Sequence, residues 1–466
     1  MTLTPNLGGD STTWYIASMQ PVRPLYIADW IAISLLVCSM ALVAHLRSDP
    51  RVGKLLPIFS SQSQWLNCDG RDHLGAEYDS IAQAIRNGNG FSDPFGVMSG
   101  PTAWMPPVIP YFLATLYWLF DDNRHSVVAT VVTIQALVVL MTAAIVISEA
   151  RRQRVVIIGY VSICVGLTAN FHQLFQMTHD VWLHLLIVNL MWIGLVHRWN
   201  RVRGIVWWGV LGGFAALSAP ILGGVWALLT TYRWTMSKNA RHQDAAKRLD
   251  ALISLACVAL LSMTMVVPWT VRNHREFDRW LPIKSNGMFE LWQSQCLDDD
   301  GVLDQKTTAS HPWPSDGVLR KEYLQLGEIG FVDQYATLVR TAIAADPWNF
   351  CTRVGRRFRA ATLWYQSHDR DENLVWPTRF LRVVFPLPIV AVLLLIVGGN
   401  WKGRRIATVL AVYSCVLLPY VLVSYYDRYA APLVGIKMMV VVYACRCKPF
   451  GSGPCSTSVV RNKRTR

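Results

Sequence analysis

Charged residues are scarce in this sequence: they make up 16% of its 466 residues, against 52% hydrophobic residues. Soluble domains typically carry about 25% charged residues, which they need to cover their surface. The positive mean hydropathy and the 20 tryptophans point the same way. The composition therefore excludes an ordinary soluble domain and indicates a membrane protein.

Several enzyme motifs are also missing. There is no GxxxxGK[ST] phosphate loop, no HExxH and no GxSxG, so nucleotide hydrolysis, zinc proteolysis and serine hydrolysis have no support. Ten cysteines include no CxxC pair, which argues against a zinc site. Three cysteines, Cys68, Cys296 and Cys351, are expected outside the membrane, and a bridge between Cys296 and Cys351 is one option.

What the sequence does contain is a series of apolar runs separated by short basic clusters. A helix needs about 20 apolar residues to cross a membrane, and the first run meets that length. The basic residues behind the net charge of +14 lie in the clusters between the apolar runs, as the positive-inside rule predicts. This distribution argues against a nucleic-acid-binding protein, which would carry them on a soluble surface. The predicted spans are 25–46, 127–148, 155–171, 180–197, 204–217, 220–232, 250–270, 380–398, 406–424 and 430–445.

Two points of the topology stay open. The run 108–120 is too short to span comfortably, and treating it as an interfacial or re-entrant helix keeps the later basic clusters cytoplasmic; the alternative is a true span. The runs 204–217 and 220–232 are either two spans or one helix broken at Ser218-Ala219-Pro220.

The predicted fold class is an all-α polytopic membrane protein with about ten transmembrane helices, interfacial helices and two long non-cytoplasmic loops. We divide the chain into an N-terminal membrane module at 1–270 with the first outside loop at 47–126, and a cap formed by the second outside loop at 271–379. The C-terminal transmembrane helices at 380–445 and a basic cytoplasmic tail at 446–466 complete it. A helix is predicted over 320–345 within the cap.

The first outside loop gathers carboxylates beside a short predicted helix. Asp72, Glu77 and Asp79 precede the apolar stretch Ile81–Ile85, which ends at Asn87-Gly88. A carboxylate on a rigid element, partly desolvated at a membrane face, has a raised pKa and suits a general base. The alternative is that these acids are solvated loop charges.

Three stretches resemble a known family. The first is GAEYDSIAQAIRNGNGFSDPF (75–95) with GPTAWMPPVIPYFLATLYWLF (100–120), the second is PWTVRN (268–273) continuing as HREFDRWLPIKSNGMFELW, and the third is LPY (418–420) with DRYAAP (427–432). They resemble bacterial polyprenyl-phosphate-sugar-dependent membrane glycosyltransferases of the type-C fold, similar to protein O-mannosyltransferases and the lipid A aminoarabinose transferase. One position departs from the aminoarabinose-transferase pattern, since Leu74 stands four residues before Tyr78 where that pattern has an Asp.

The resemblance implies an inverting sugar transfer outside the cytoplasmic (inner) membrane, from a polyprenyl-phosphate carrier to a lipid, protein or glycan acceptor. It makes 1–270 the catalytic module. Because Leu74 replaces the acid, the base becomes Glu77, then Asp79, with Asp72 as a further candidate. The expected substrate-binding residues are Asp180, Arg272, Lys284, Arg428 and Tyr429.

Arginine suits the leaving phosphate because its planar fork matches phosphate oxygens, although arginines at membrane ends also contact head groups. Asp180 suits acceptor or divalent-cation binding and equally a helix N-cap. No other cofactor or metal ligand is indicated, and membrane lipids are expected partners.

Other residues and classes stay open. Trp104 and Trp118 are expected as interface anchors more than as sugar platforms. Arg353, Arg356, Arg357 and Arg359 are expected to contact head groups or the surface. A secondary transporter and a non-catalytic membrane scaffold are the alternatives to an enzyme.

Overall fold

The structure is a computed structural model, and it describes residues 24–47, 74–96, 98–197, 201–238, 245–297, 300–304, 307, 309–314, 317–366, 376–400 and 403–446. Within these ranges the regular structure is helical, and the β-type contacts are two isolated bridges, Ser92 with Pro101 and Val302 with Tyr425. The prediction of an all-α protein is confirmed for the described part of the chain.

The N-terminal part contains nine helices among the described residues. They are α1 (Ile27–Arg47), α2 (Ala76–Arg86), α3 (Val108–Leu119), α4 (Arg124–Gln153), α5 (Val156–Ala169), α6 (Val181–Val196), α7 (Arg201–Ser218), α8 (Pro220–Lys238) and α9 (Ala245–Phe277). The π-helical segment His172–Gln176 precedes α6.

The cap and the C-terminal part follow. Their helices are α10 (Gly287–Trp292), α11 (Val318–Ala345), α12 (Pro347–Thr362), α13 (Trp376–Val384), α14 (Leu387–Val397), α15 (Arg404–Leu422) and α16 (Val434–Arg446). A 3-10 segment, Asp427–Leu433, leads directly into α16. The helix predicted over 320–345 is confirmed, with a kink at Gly327, where φ is 68°.

Six helical segments of the described chain are long and apolar enough to cross a membrane. They are Ile27–Ala44, Arg124–Gln153, Leu249–Phe277, Arg379–Val397, Arg404–Leu422 and Asp427–Arg446. Only 11% of the apolar window in Leu249–Phe277 is buried inside the protein, so the rest of its apolar surface faces outward, where lipid would cover it. The protein is therefore an all-α membrane protein, whereas the count of ten spans stays a prediction because α5 and α6 have only 14 and 16 residues.

Helices α7 and α8 form an antiparallel hairpin, not one broken helix. Trp208 Nε1 donates to Thr230 Oγ1 at 2.7 Å, and Trp226 Nε1 donates to the Trp208 carbonyl at 2.9 Å, so residues 22 positions apart are neighbours. A continuous helix would separate them by about 33 Å at 1.5 Å per residue. Gly212 lets the two helices approach, since a Cβ there would come within 2.3 Å of the Trp226 ring.

The cap packs on the first outside loop through a cluster of aromatic side chains. Trp104 is wholly buried there, with Phe95, Phe289 and Tyr323 against it. The expectation that Trp104 anchors the membrane interface is therefore wrong, because the cap covers its ring. Trp118, by contrast, is 67% exposed.

The cap arginines and cysteines also correct expectations. Arg357 is fully buried and donates to the carbonyls of Val421 and Leu422, the last residues of α15, and Arg353 is buried beside it. These arginines bind inside the protein and not to lipid head groups, because the end of α15 offers carbonyls without helical partners.

Cys296 and Cys351 are both free thiols, so the bridge considered between them is absent.

Candidate functional site

Polar side chains from six separate parts of the chain meet at one end of helices α6, α15 and α16. We call this group the polar cluster. Its members are Glu77 and Tyr78 of α2, His179, Asp180 and His184 at the start of α6, Lys284 and Glu290 near α10, His311, Tyr420 of α15, and Arg428 and Tyr429 of the 3-10 segment.

The turn before α2 determines how its carboxylates point. Gly75 has φ of 85°, and a Cβ there would lie 2.7 Å from Cδ2 of Tyr78, so a side chain is excluded by both strain and contact. Tyr78 is buried and faces inward. Because each helical residue turns about 100°, Glu77 and Asp79 leave the helix on different sides.

Glu77 lies against the cap. Its Oε1 is 3.5 Å from Nε2 of His311, and the two side chains keep 17% and 19% of their surface exposed. Burial lowers the pKa of His311, although the charges of Glu77 and Glu290 oppose that shift. The imidazole is therefore neutral at pH 7 and able to exchange a hydrogen bond with Glu77.

Asp180 lies deeper, between α2 and α6. The Tyr78 hydroxyl donates to its Oδ2 at 3.0 Å, and Nε2 of His184, one helical turn on, is 3.8 Å away. Burial and the nearby Asp180 charge raise the pKa of Tyr78 well above its usual value, so the phenol keeps its proton and remains a donor. Asp180 occupies the N-cap position of α6, as expected, but its side chain makes no capping hydrogen bond and instead accepts from Tyr78.

Arg428 is the main cation of the cluster. It lies over the rings of Tyr426 and Tyr429, with Cζ 5.3 and 5.5 Å from the ring centres, and its NH1 is 3.1 Å from Nδ1 of His179. Its Nε has no hydrogen-bond partner among the described residues although it is buried. A buried donor without a partner costs about 1–3 kcal/mol, so this guanidinium is prepared to receive an acceptor.

Lys284 and Glu290 are the cap residues that form one edge of the cluster. Their Nζ and Oε1 atoms are 2.7 Å apart, and the side chains are 18% and 21% exposed. The Tyr429 ring stacks on Tyr420 at 4.8 Å between centres. The stacked rings of Tyr420 and Tyr429 supply an apolar surface, and the Lys284–Glu290 pair supplies hydrogen-bonding groups. Ligand sites usually combine these two features.

The charged side chains of the polar cluster are partly exposed. Asp180 retains 13% of its side-chain surface, and Glu77, Lys284 and Glu290 retain 17–21%. Groups in a dry core would be fully covered, and groups on an open surface would be far more exposed. The cluster is thus partly desolvated, a setting in which charges interact more strongly than in bulk water.

Two of the residues that the sequence singled out lie elsewhere. Asp79 accepts the Tyr117 hydroxyl at 2.6 Å and pairs with Arg124 at 2.7 Å, on the side of α2 away from His311. Arg272 donates to the carbonyls of Thr102 at 2.6 Å and Phe91 at 2.8 Å, and so ties the first outside loop to α9. Asp72 lies outside the described residues.

The structure therefore brings together Glu77, Asp180, Lys284, Arg428 and Tyr429. The sequence analysis did not single out Tyr78, His184, Glu290 or His311 as site residues. Glu290 does lie inside the GMFELW stretch of the resemblance, which was the available signal. His311 had no local signal, because only the packing of the cap turns it toward Glu77.

Metal ligation was tested on the same residues. Within the described ranges, no group of three or more His, Cys, Asp or Glu side chains is arranged to hold a metal ion. The cluster offers a carboxylate beside a neutral imidazole, a tyrosine-bound aspartate and a partly buried guanidinium.

Comparison with known proteins adds no relative: no protein-family model, curated protein or solved structure matches this chain. Its function is therefore argued from the polar cluster itself.

Proposed function

We propose that this protein is an inverting glycosyltransferase that moves a sugar from a polyprenyl-phosphate carrier to an acceptor on the non-cytoplasmic side of the cytoplasmic membrane. The observation that carries the proposal is the meeting of Glu77, Asp180 and Arg428 at one end of membrane helices. These residues are more than 350 positions apart in sequence at the extremes, and they combine a base candidate with a phosphate-binding cation.

Arg428 is the proposed phosphate ligand. Its side chain is partly buried, its buried Nε has no hydrogen-bond partner among the described residues, and its NH1 contacts a histidine in place of a carboxylate. An arginine in this state gains from an anionic ligand, and its planar fork matches two phosphate oxygens. Lys284 supplies a second positive charge at the edge of the cluster, although Glu290 balances it before substrate binds.

Glu77 is the proposed general base. The acceptor hydroxyl or amine attacks C1 of the sugar from the side opposite the phosphate, forming the new bond while the bond between C1 and the phosphate oxygen breaks. The acceptor proton passes to Glu77, and the lipid phosphate leaves as an anion held by Arg428. Attack from the opposite side inverts the configuration at C1.

Asp180 and Tyr78 have positioning roles in this scheme. The carboxylate of Asp180 lies in the electrostatic field of Arg428 and is fixed by the 3.0 Å bond from Tyr78. It would keep the guanidinium in place before phosphate arrives and leave the base role to the less constrained Glu77. Tyr429, stacked on Tyr420, would support the same guanidinium from below.

The test replaces Glu77 with glutamine and measures sugar transfer from a lipid-linked donor in membranes. General-base catalysis contributes roughly 10²–10⁴-fold, so Glu77→Gln is expected to lose about that much turnover. Glu276→Gln, at an exposed position on α9, is the matched control and should retain wild-type turnover. Equal activity of Glu77→Gln and wild type would reject the base assignment, and absence of transfer by the wild-type protein would favour a transporter or a scaffold.

A further inference from the structure

A cavity lies at the opposite end of helices α6, α15 and α16 from the polar cluster. Its volume is about 260 Å³, and its walls come from the ends of α4, α6 and α16 and the start of α15. A single water needs roughly 10–15 Å³ of such space, so the cavity has room for a larger group. We call it the arginine recess, after its lining residues Arg152, Arg404, Arg405 and Arg446.

The side chains that line the recess are rich in positive charge. Of the eleven described residues that line it, four are arginines and none is acidic. Glu149, buried behind the lining, forms an ion pair with Arg405 and accepts the Tyr443 hydroxyl at 2.7 Å. Arg446 donates to the neutral amide oxygen of Gln153, so its charge is not paired with a carboxylate in that contact.

Two of the lining arginines lie at the start of a helix. Arg404 and Arg405 occupy the first turn of α15, where the helix dipole is positive and basic side chains are unfavourable. The N-cap residue is Gly403, which supplies no side-chain cap, and residues 403–406 line the recess. Backbone N–H groups at a helix start and several arginines around one cavity form a setting in which an anion is stabilised.

The apolar part of the recess and its location select the kind of anion. Leu195, Val196 and Ile406 line it beside the arginines, so it can hold a carbon skeleton as well as a charged group. Helix α15, with 19 residues, is about 28 Å long, close to the roughly 30 Å hydrocarbon core. The recess is therefore at head-group level on the face that the positive-inside pattern assigns to the cytoplasm.

We propose that the arginine recess binds the phosphate of an anionic phospholipid head group, with the glycerol against Leu195, Val196 and Ile406. Basic pockets between transmembrane helices hold such head groups through the same combination of charge and apolar contact. This site is separate from the polar cluster, because Asp180 and Val196 lie at opposite ends of α6, about 24 Å apart.

The experiment uses the full-length protein in nanodiscs of phosphatidylcholine and titrates in phosphatidylglycerol that carries a fluorescent acyl chain. We compare Arg152→Gln, Arg446→Gln and the double variant with wild type. Arg154→Gln is the matched control, since Arg154 follows the same helix end but is exposed and does not line the recess. Arg405 is left unchanged because its loss would leave Glu149 buried without its ion pair.

Each arginine near a membrane surface contributes about 1 kcal/mol to anionic lipid binding, which corresponds to roughly fivefold in affinity. Each single variant is expected to bind phosphatidylglycerol about fivefold more weakly, and the double variant about 25-fold more weakly. Arg446→Lys retains the charge and should recover most of the affinity. Unchanged binding in Arg152→Gln, Arg446→Gln and the double variant overturns the proposal.

A free phosphate group is distinguished by a separate arm of the experiment. Inorganic phosphate at millimolar concentration is expected to displace little of the labelled lipid. If phosphate displaces it fully, or if only phosphate raises the Tm of the wild-type protein, the lipid assignment is overturned. Thermal unfolding in pure phosphatidylcholine should give the same Tm for wild type and for both single variants. A variant that fails to fold is recognised by a lowered Tm, and lipid binding by the other single variant then tests the proposal.

Discussion

Two carboxylates of α2 separated by a single residue meet different surroundings. Glu77 faces His311 of the cap, whereas Asp79 faces Arg124 at the start of α4 and the hydroxyl of Tyr117. The cause is the helical rotation of about 100° per residue, with Tyr78 between them directed inward. The buried face of α2 therefore determines that Glu77 is the proposed base and that Asp79 forms an ion pair with Arg124.

Asp79→Asn is expected to leave sugar transfer near the wild-type level. Arg124 is 40% exposed, and ion pairs with an exposed partner contribute only about 0–1 kcal/mol, so the loss of unfolding free energy should be small. Turnover and Tm measured side by side with Glu77→Gln check this. Loss of turnover as large as that of Glu77→Gln would transfer the base role to Asp79.

The pH dependence of stability should contain a contribution from His311. Burial lowers its pKa below the ordinary value of about 6.5, in spite of the neighbouring Glu77 and Glu290. The unfolded chain then protonates His311 more readily than the folded protein does. The contribution of neutral His311 to the unfolding free energy is therefore fully present above about pH 6.5 and is lost as the pH falls. His311→Gln should flatten the fall in Tm between pH 7.5 and 5.5, and an unchanged slope would contradict the shift.

Helix α11 is joined to the first outside loop by one buried carboxylate. Glu328, which follows the kink at Gly327, accepts hydrogen bonds from the Thr102 hydroxyl, the Ala103 N–H, the Ser285 hydroxyl and the Tyr323 hydroxyl at 2.5–2.9 Å. Burial raises the pKa of Glu328, and these four donors act against that shift. Through this junction the cap holds His311 and Lys284 over α2.

Glu328→Gln is expected to lower the unfolding free energy by about 1–3 kcal/mol, because an amide cannot accept from all four donors and leaves buried groups unsatisfied. Denaturation in detergent, followed by tryptophan fluorescence, measures the loss. Glu322→Gln on the same helix is the control, since Glu322 bonds to Tyr335 and Gln334 at the cap surface and should cost less. Equal losses in the two variants would remove the special role of Glu328.

Across the whole molecule, the polar cluster and the arginine recess occupy the two ends of the same helices. Arg428 and Lys284 lie among the acids and histidines of the polar cluster, whereas four arginines and no acid line the arginine recess. The arginine-rich end is the one that the positive-inside rule assigns to the cytoplasm. The proposed sugar transfer and the proposed lipid contact would then take place on opposite membrane faces.

Single-cysteine variants test that orientation. Cys351 on α12 and Cys445 near the end of α16 are both exposed thiols. We expect a membrane-impermeant maleimide to label Cys351 in intact cells and Cys445 only after the membrane is permeabilised. Labelling of Cys445 in intact cells, with Cys351 protected, would invert the proposed topology and place the polar cluster in the cytoplasm.

Much of the architecture could be predicted from local sequence. Apolar runs gave the helices, the break at Ser218-Ala219-Pro220 marked the end of α7, and Asn87-Gly88 marked the end of α2. The resemblance pointed to Glu77, Asp180, Lys284, Arg428 and Tyr429, which meet in the structure. The resemblance could not distinguish Arg428 from Arg272, because both arginines lie near the end of a predicted span. In the structure Arg272 donates to backbone carbonyls of the first outside loop.

The sequence by itself determined the membrane-helical character of the chain, since hydropathy and run length are local properties that depend on neighbouring residues alone. Only the tertiary structure decided that α7 and α8 fold back on each other, that Arg357 and Trp104 are interior, and that His311 meets Glu77. These outcomes depend on which helix faces pack together over long sequence separations, and the direction of a side chain changes by about 100° with each residue.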